Sequence, residues 1–118
     1  MTRARRGEIW SVYTPGQPDD PHQPRPGLVV SDDSRNTLQD DLTVVPIFSS
    51  GRLGSTHLRL RAGLGGTRHD SILFCEEITT IVDEFLADGP LGPRVPTWIL
   101  DAVLLGVRRA LGEVVPER

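Results

Sequence analysis

Leu42-Thr43-Val44-Val45-Pro46-Ile47-Phe48-Ser49-Ser50 is nearly continuous in aliphatic residues until it meets two hydroxyls. Such a run is the pattern of a strand covered on both faces. Upstream, Arg25-Pro26-Gly27-Leu28-Val29-Val30-Ser31 reads as another strand, with Gly27 to Ser31 as its body and a guanidinium at its entry. A fixed cation thus stands at one strand's entry and hydroxyls at another's exit. Arginine stays charged at any physiological pH and offers forked donors, which suits phosphate or carboxylate. Paired with a hydroxyl, Arg25 makes a candidate phosphodiester site; the alternative is an ion pair with Asp32 or Asp33 across the following loop.

Outward from these strands the chain is rich in β signals. Glu8-Ile9-Trp10-Ser11-Val12-Tyr13 is β-branched and aromatic and is stopped by Thr14-Pro15-Gly16, which predicts a first strand. Pro15 to Pro26 is a proline-rich loop, and Asp32 to Asp41 reads as a polar connection. After a Gly/Ser loop at 49–55, His57-Leu58-Arg59-Leu60-Arg61 alternates with period two, placing His57, Arg59 and Arg61 on one face. That face is either a solvated strand surface or a strip that tracks a nucleic-acid backbone. Ser71 to Glu77 and Ile78 to Val82 read as further strands, and the β-rich part ends near Leu86. Leu100, Val103, Leu104, Val107, Ala110, Leu111 and Val114 then follow a helical spacing, with Thr97 placed as N-cap and Trp98 and Ile99 as an apolar patch near the start. The expected fold is β-rich α+β: a small, strongly curved antiparallel barrel with one C-terminal amphipathic helix.

The 118 residues predict a single domain spanning 1–118. No apolar run approaches a membrane span, and basic Met1 to Arg6 leads straight into Gly7-Glu8 without a signal-peptide core, so a cytoplasmic location is expected. The net charge of -3 excludes a global basic field, so any nucleic-acid site must be local. All 13 basic residues are arginine, a bias that dilutes the meaning of any single one. A lone cysteine, Cys75, within an apolar segment fits a buried thiol in a strand. Phosphate-loop, dinucleotide and paired Cys/His metal signatures are missing, and Glu76 and Glu77 as strand neighbours would point to opposite faces, so no metal or cofactor is expected. The three histidines, His22, His57 and His69, are too dispersed for a two-histidine nuclease site.

In order and spacing, Arg6-Gly7-Glu8-Ile9-Trp10, Pro15 ahead of Arg25-Pro26, Leu28 to Ser31, Asn36, Val44-Val45-Pro46-Ile47, Thr56-His57-Leu58, Asp70 to Leu73 and Glu76 to Ile81 make the chain resemble the MazF/PemK toxin endoribonucleases of bacterial toxin-antitoxin pairs. The resemblance covers almost the whole sequence. It implies an SH3-like barrel that forms a homodimer, binds single-stranded RNA, and cleaves it without metal to a 2',3'-cyclic phosphate and a 5'-hydroxyl. It also implies a MazE-like antitoxin whose extended tail covers the RNA groove. Arg25 matches the arginine that acts on the scissile phosphate. The position of the family's threonine is Phe48, so Ser49 or Ser50 is expected to supply the hydroxyl. Glu77 stands where many members have a base-reading glutamine, and as an acceptor only it favours base-edge donors. Tyr13, His22 and Phe48 are candidate stacking platforms, and Arg52 and Arg59 candidate backbone contacts, whereas Trp10 is assigned to core packing. The competing functional reading is a non-catalytic protein binder like the gyrase-poisoning toxins, with Phe48 marking a lost nuclease site; a metal nuclease built on the acidic pairs is a third.

Overall fold

The computed structural model describes residues 2–13 and 23–115. Its strands are β1 (Ile9–Val12), β2 (Arg25–Val29), β3 (Asp41–Phe48), β4 (His57–Leu60), β5 (Ser71–Phe74), β6 (Thr79–Val82) and β7 (Leu86–Asp88). Two α-helices accompany them, α1 (Asp33–Leu38) and α2 (Thr97–Ala110). All pairings are antiparallel, in the order β4-β5-β3-β2-β1-β7 with β6 also on β3. The expected antiparallel architecture with its C-terminal helix is present, although the sheet stays open rather than closing into a barrel.

β3 organises the sheet. One edge pairs with β2, Leu28 opposite Val45, while its other edge pairs first with β6 through Asp41 to Val44 and then with β5 through Ile47 and Phe48. The continuous apolar run follows from burial on both faces. Val45 and Ile47 join a core with Ile9, Leu28, Leu73, Ile99 and Val103, whereas Leu42 and Val44 join a second one with Trp10, Val12, Val29 and Ile81. Successive side chains point to opposite faces, so neighbours such as Val44 and Val45 seed different cores. Each fully buried aliphatic contributes roughly 1.5–3 kcal/mol.

Several boundaries differ from the sequence expectation. The polar connection after β2 contains α1, capped by Asp32, whose carboxylate accepts from the Ser34 N–H. Its polar residues conceal the turn from hydrophobic periodicity. Buried Asn36 locks it: the Ser31 hydroxyl donates to Asn36 Oδ1 at 2.6 Å, and Asn36 Nδ2 donates to the Ser31 carbonyl at 3.0 Å. β5 stops at Phe74, and Cys75–Glu77 form a 3-10 turn, so the strand expected through Glu77 is shorter.

α2 begins with Pro96 at the N-cap and Thr97 inside the helix, correcting the expected Thr97 cap. Its buried residues are Ile99, Leu100, Val103 and Gly106, while Leu111 and Val114 lie past the helix and are exposed. Gly106 matters because a Cβ there would lie 2.6 Å from Cys75 Sγ; the helix seats on the 3-10 turn through that bare Cα. Cys75 is buried, and desolvation pushes its thiol up to about 11. Trp10 is core as expected, with its indole N–H donating to Glu8 Oε1 at 3.1 Å.

Candidate active site

Arg25, the first residue of β2, and Phe48, the last of β3, meet across the sheet. The guanidinium carbon stands 4.5 Å from the Phe48 ring centroid, a cation-π contact that holds the charged fork over an apolar plate. Beyond Phe48 the chain bends through exposed Ser49 and Ser50. These four residues line one cavity of about 570 Å³, together with Pro26, Ile47, Gly66, Thr67, Arg68, His69, Ser71 and Leu91. Cation and hydroxyls therefore share one concave surface.

Asp32 and Asp33, the acidic residues weighed as partners for Arg25, have contacts of their own. Asp33 accepts from the Arg6 N–H at 2.7 Å and lies 3.9 Å from Arg94, and Asp32 is engaged by Ser34. Phe48 likewise acquires a definite place, as the plate under Arg25 and against Phe74, with ring centroids 4.6 Å apart.

Among the described residues, Tyr13, Arg52, Arg59 and Glu77 do not line this cavity. Tyr13 is exposed just past β1, its N–H donating to the Phe85 carbonyl at 2.9 Å. Arg52 lies in the exposed 49–55 loop, Arg59 on the outward face of β4, and Glu77 on the exposed side of the 3-10 turn. His22 lies outside the described residues. Conversely, Thr67, Arg68, His69 and Ser71 line the cavity without having been assigned to it. Their only sequence signal was the glycine-rich turn before Asp70, whose backbone path periodicity does not reveal. The Ser71 hydroxyl is buried in the cavity wall and has no hydrogen-bond partner among the described residues.

His57 behaves differently from the solvated stripe expected of it. Its ring stacks on Phe74 at 4.2 Å, Nε2 meets Glu76 Oε2 at 2.7 Å, and Nδ1 faces the Arg52 carbonyl at 2.6 Å, to which it donates when it carries a proton, and the Gly54 N–H at 3.0 Å, from which it accepts when it does not. The Glu76 hydrogen bond raises the imidazole pKa above its ordinary 6.5 against the opposing effect of burial, aided by the Arg52 carbonyl and by the charges of Glu76 and Glu77. For Glu76, burial works against ionisation, but hydrogen bonds from His57 and the backbone prevail and lower its pKa. Because Cys75–Glu77 is a turn, Glu76 and Glu77 do not follow the strand alternation expected of them. Among the described residues, no group of three His, Cys, Asp or Glu side chains could hold a metal ion.

A sheet of this topology, with a cation and hydroxyls converging at the end of its central strand, defines a class that sequence comparison identifies. The model of the family described as PemK-like, MazF-like toxin of type II toxin-antitoxin system matches residues 5–114, and the chain belongs to that family. Solved structures share its fold. An endoribonuclease from a mycobacterial species is 22% identical, with 98% of each chain covered and a TM-score of 0.76. A mycobacterial endoribonuclease in complex with its cognate antitoxin is also 22% identical, covering 96% of this chain and 99% of that one at a TM-score of 0.74. MazF from Deinococcus radiodurans is 20% identical, covering 93% and 97% at a TM-score of 0.74. No curated protein matches the chain.

Proposed function

We propose that this toxin is a sequence-specific, metal-independent endoribonuclease acting on single-stranded RNA in the cytoplasm. The observation that carries this reading is the Arg25 guanidinium lying over Phe48 in the cavity that Ser49 and Ser50 also line. The 2'-hydroxyl attacks the adjacent phosphorus and the 5'-oxygen leaves, giving a 2',3'-cyclic phosphate and a 5'-hydroxyl. Negative charge builds on the phosphoryl oxygens, where a pre-oriented guanidinium stabilises it. Ser49 or Ser50 donates a hydrogen bond to the same group. His69, in the cavity wall, brings an imidazole that can both donate and accept a hydrogen bond to the same surface. Arg68 adds a second cation beside it.

Residues 1–118 act as one toxin domain, and two copies form a homodimer. Tyr13, Arg52, Arg59 and Glu77 contact RNA outside the cavity, and His22 is a further RNA contact. The neighbours solved with their antitoxins support a MazE-like partner whose tail covers the site. Among the described residues, no helix is long and apolar enough to cross a membrane.

The test is a fluorogenic RNA-DNA chimera assayed in EDTA, with the 5' ends of cut RNA sequenced to read the recognition site. Cleavage should survive the chelator and fall by on the order of 100-fold or more in Arg25→Ala. Failure to cut any RNA pool, or loss of cutting on chelation, would overturn the proposal.

A further inference from the structure

The loop from Ser49 to Ser55 carries both candidate hydroxyls, yet it is exposed and rich in Ser and Gly. Free in solution, such a segment would spread its serines over many conformations. Here it is fastened at its far end. The His57 ring reaches back to the Arg52 carbonyl and the Gly54 N–H, while its opposite nitrogen is spent on Glu76. Midway, Gly51 lies flat against Phe74; a Cβ there would sit 2.7 Å from the Phe74 ring. The same ring supports His57 on one side and Phe48 on another.

Both imidazole nitrogens are thus occupied by protein groups, which makes His57 a poor proton carrier and a good clamp. We propose that His57 is a positioning residue: by holding the Arg52 carbonyl when Nδ1 is protonated and the Gly54 N–H when it is not, it fixes the Ser49–Ser55 loop and so sets Ser49 and Ser50 against Arg25. The catalytic part of this inference rests on the nuclease reading above. Misplacing a reacting group by about 1 Å costs on the order of 100-fold in rate, so the clamp acts chiefly on kcat, with a smaller effect on RNA affinity through Arg52 in the same loop.

Two substitutions separate the clamp from generic packing. His57→Asn keeps a polar atom at the Nδ1 position and loses the link to Glu76; His57→Gln reaches Glu76 and releases the loop. His57→Gln should lower kcat by on the order of 100-fold while KM, which Arg52 influences, rises by no more than about threefold, and His57→Asn should recover roughly tenfold of the kcat loss. Amide hydrogen exchange, which needs no activity and is run at a pH where the imidazole is neutral so that Nδ1 accepts, should show Gly54 protected in the wild type and in His57→Asn and unprotected in His57→Gln. Gly51→Ala lifts the same loop off Phe74 without touching His57 and should reproduce the kcat loss if His57→Gln does not fold. Equal rates in the two His57 variants, or a protected Gly54 amide in His57→Gln, would overturn the proposal. If the wild type cuts no RNA, the nuclease reading fails while the exchange experiment still decides whether His57 clamps the loop.

Discussion

Replacing Phe48 with leucine keeps most of its apolar bulk and removes the π face under Arg25. Two interactions go with it. The cation-π contact at 4.5 Å is worth about 0.5–1 kcal/mol at a half-buried site, and the tilted Phe48–Phe74 pair at 4.6 Å adds about 0.5–1.5 kcal/mol. The expected destabilisation is therefore about 1–2.5 kcal/mol. With an unfolding entropy near 2.1 cal/mol/K per residue over 118 residues, that lowers Tm by about 4–10 °C. Circular dichroism melts of the wild type, Phe48→Leu, Arg25→Met and the double variant make a cycle whose coupling should be about 0.5–1 kcal/mol. In the RNA-DNA assay, the unsupported guanidinium should cost about tenfold in kcat. Effects that add to within about 0.3 kcal/mol would refute the idea that Phe48 is the plate on which Arg25 rests.

Gly106→Ala should destabilise the protein by about 1–3 kcal/mol despite the better helix propensity of alanine, because the new methyl meets Cys75 Sγ at 2.6 Å; urea titration giving a stabilised variant would contradict the close seat of α2. Cys75, pushed up to about 11 by burial, should resist iodoacetamide at neutral pH in the folded protein and react once unfolded, as mass spectrometry would report. His57 has a raised folded pKa, so its stabilisation is complete below its ordinary 6.5 and is lost as pH rises through the folded value. The stability gap between the wild type and His57→Gln should accordingly narrow from about pH 5 to about pH 9, and a widening gap would reverse the assigned sign.

Much of the fold was legible because strands leave strong local signals. The aliphatic run ending at Phe48 and the alternation of His57 to Leu60 both became strands. α1 was missed because its six residues are mostly polar and its order comes from Asp32 and Asn36, not from an apolar face. The truncated β5 was missed because Cys75, Glu76 and Glu77 carry no turn signal; packing of Gly106 on Cys75 accompanies the bend. At the site, Arg25 and the two serines could be named from one strand's entry and another's exit. Thr67, Arg68, His69 and Ser71 could not, since only the tertiary path of the glycine-rich turn brings them to Arg25. The clamp at His57 depends on contacts to backbone atoms of Arg52 and Gly54, which no side-chain pattern encodes.

The double pairing of β3 has a bearing on how such a site can change. Near residue 48 the backbone is gripped from both edges, by β2 opposite Pro46 and by β5 opposite Phe48 itself. The side chain there is mounted like a tool in a fixed chuck. Exchanging a hydroxyl for an aromatic ring alters what is presented to Arg25 while leaving the mounting point in place, so chemistry at this position is free to drift without the scaffold having to follow.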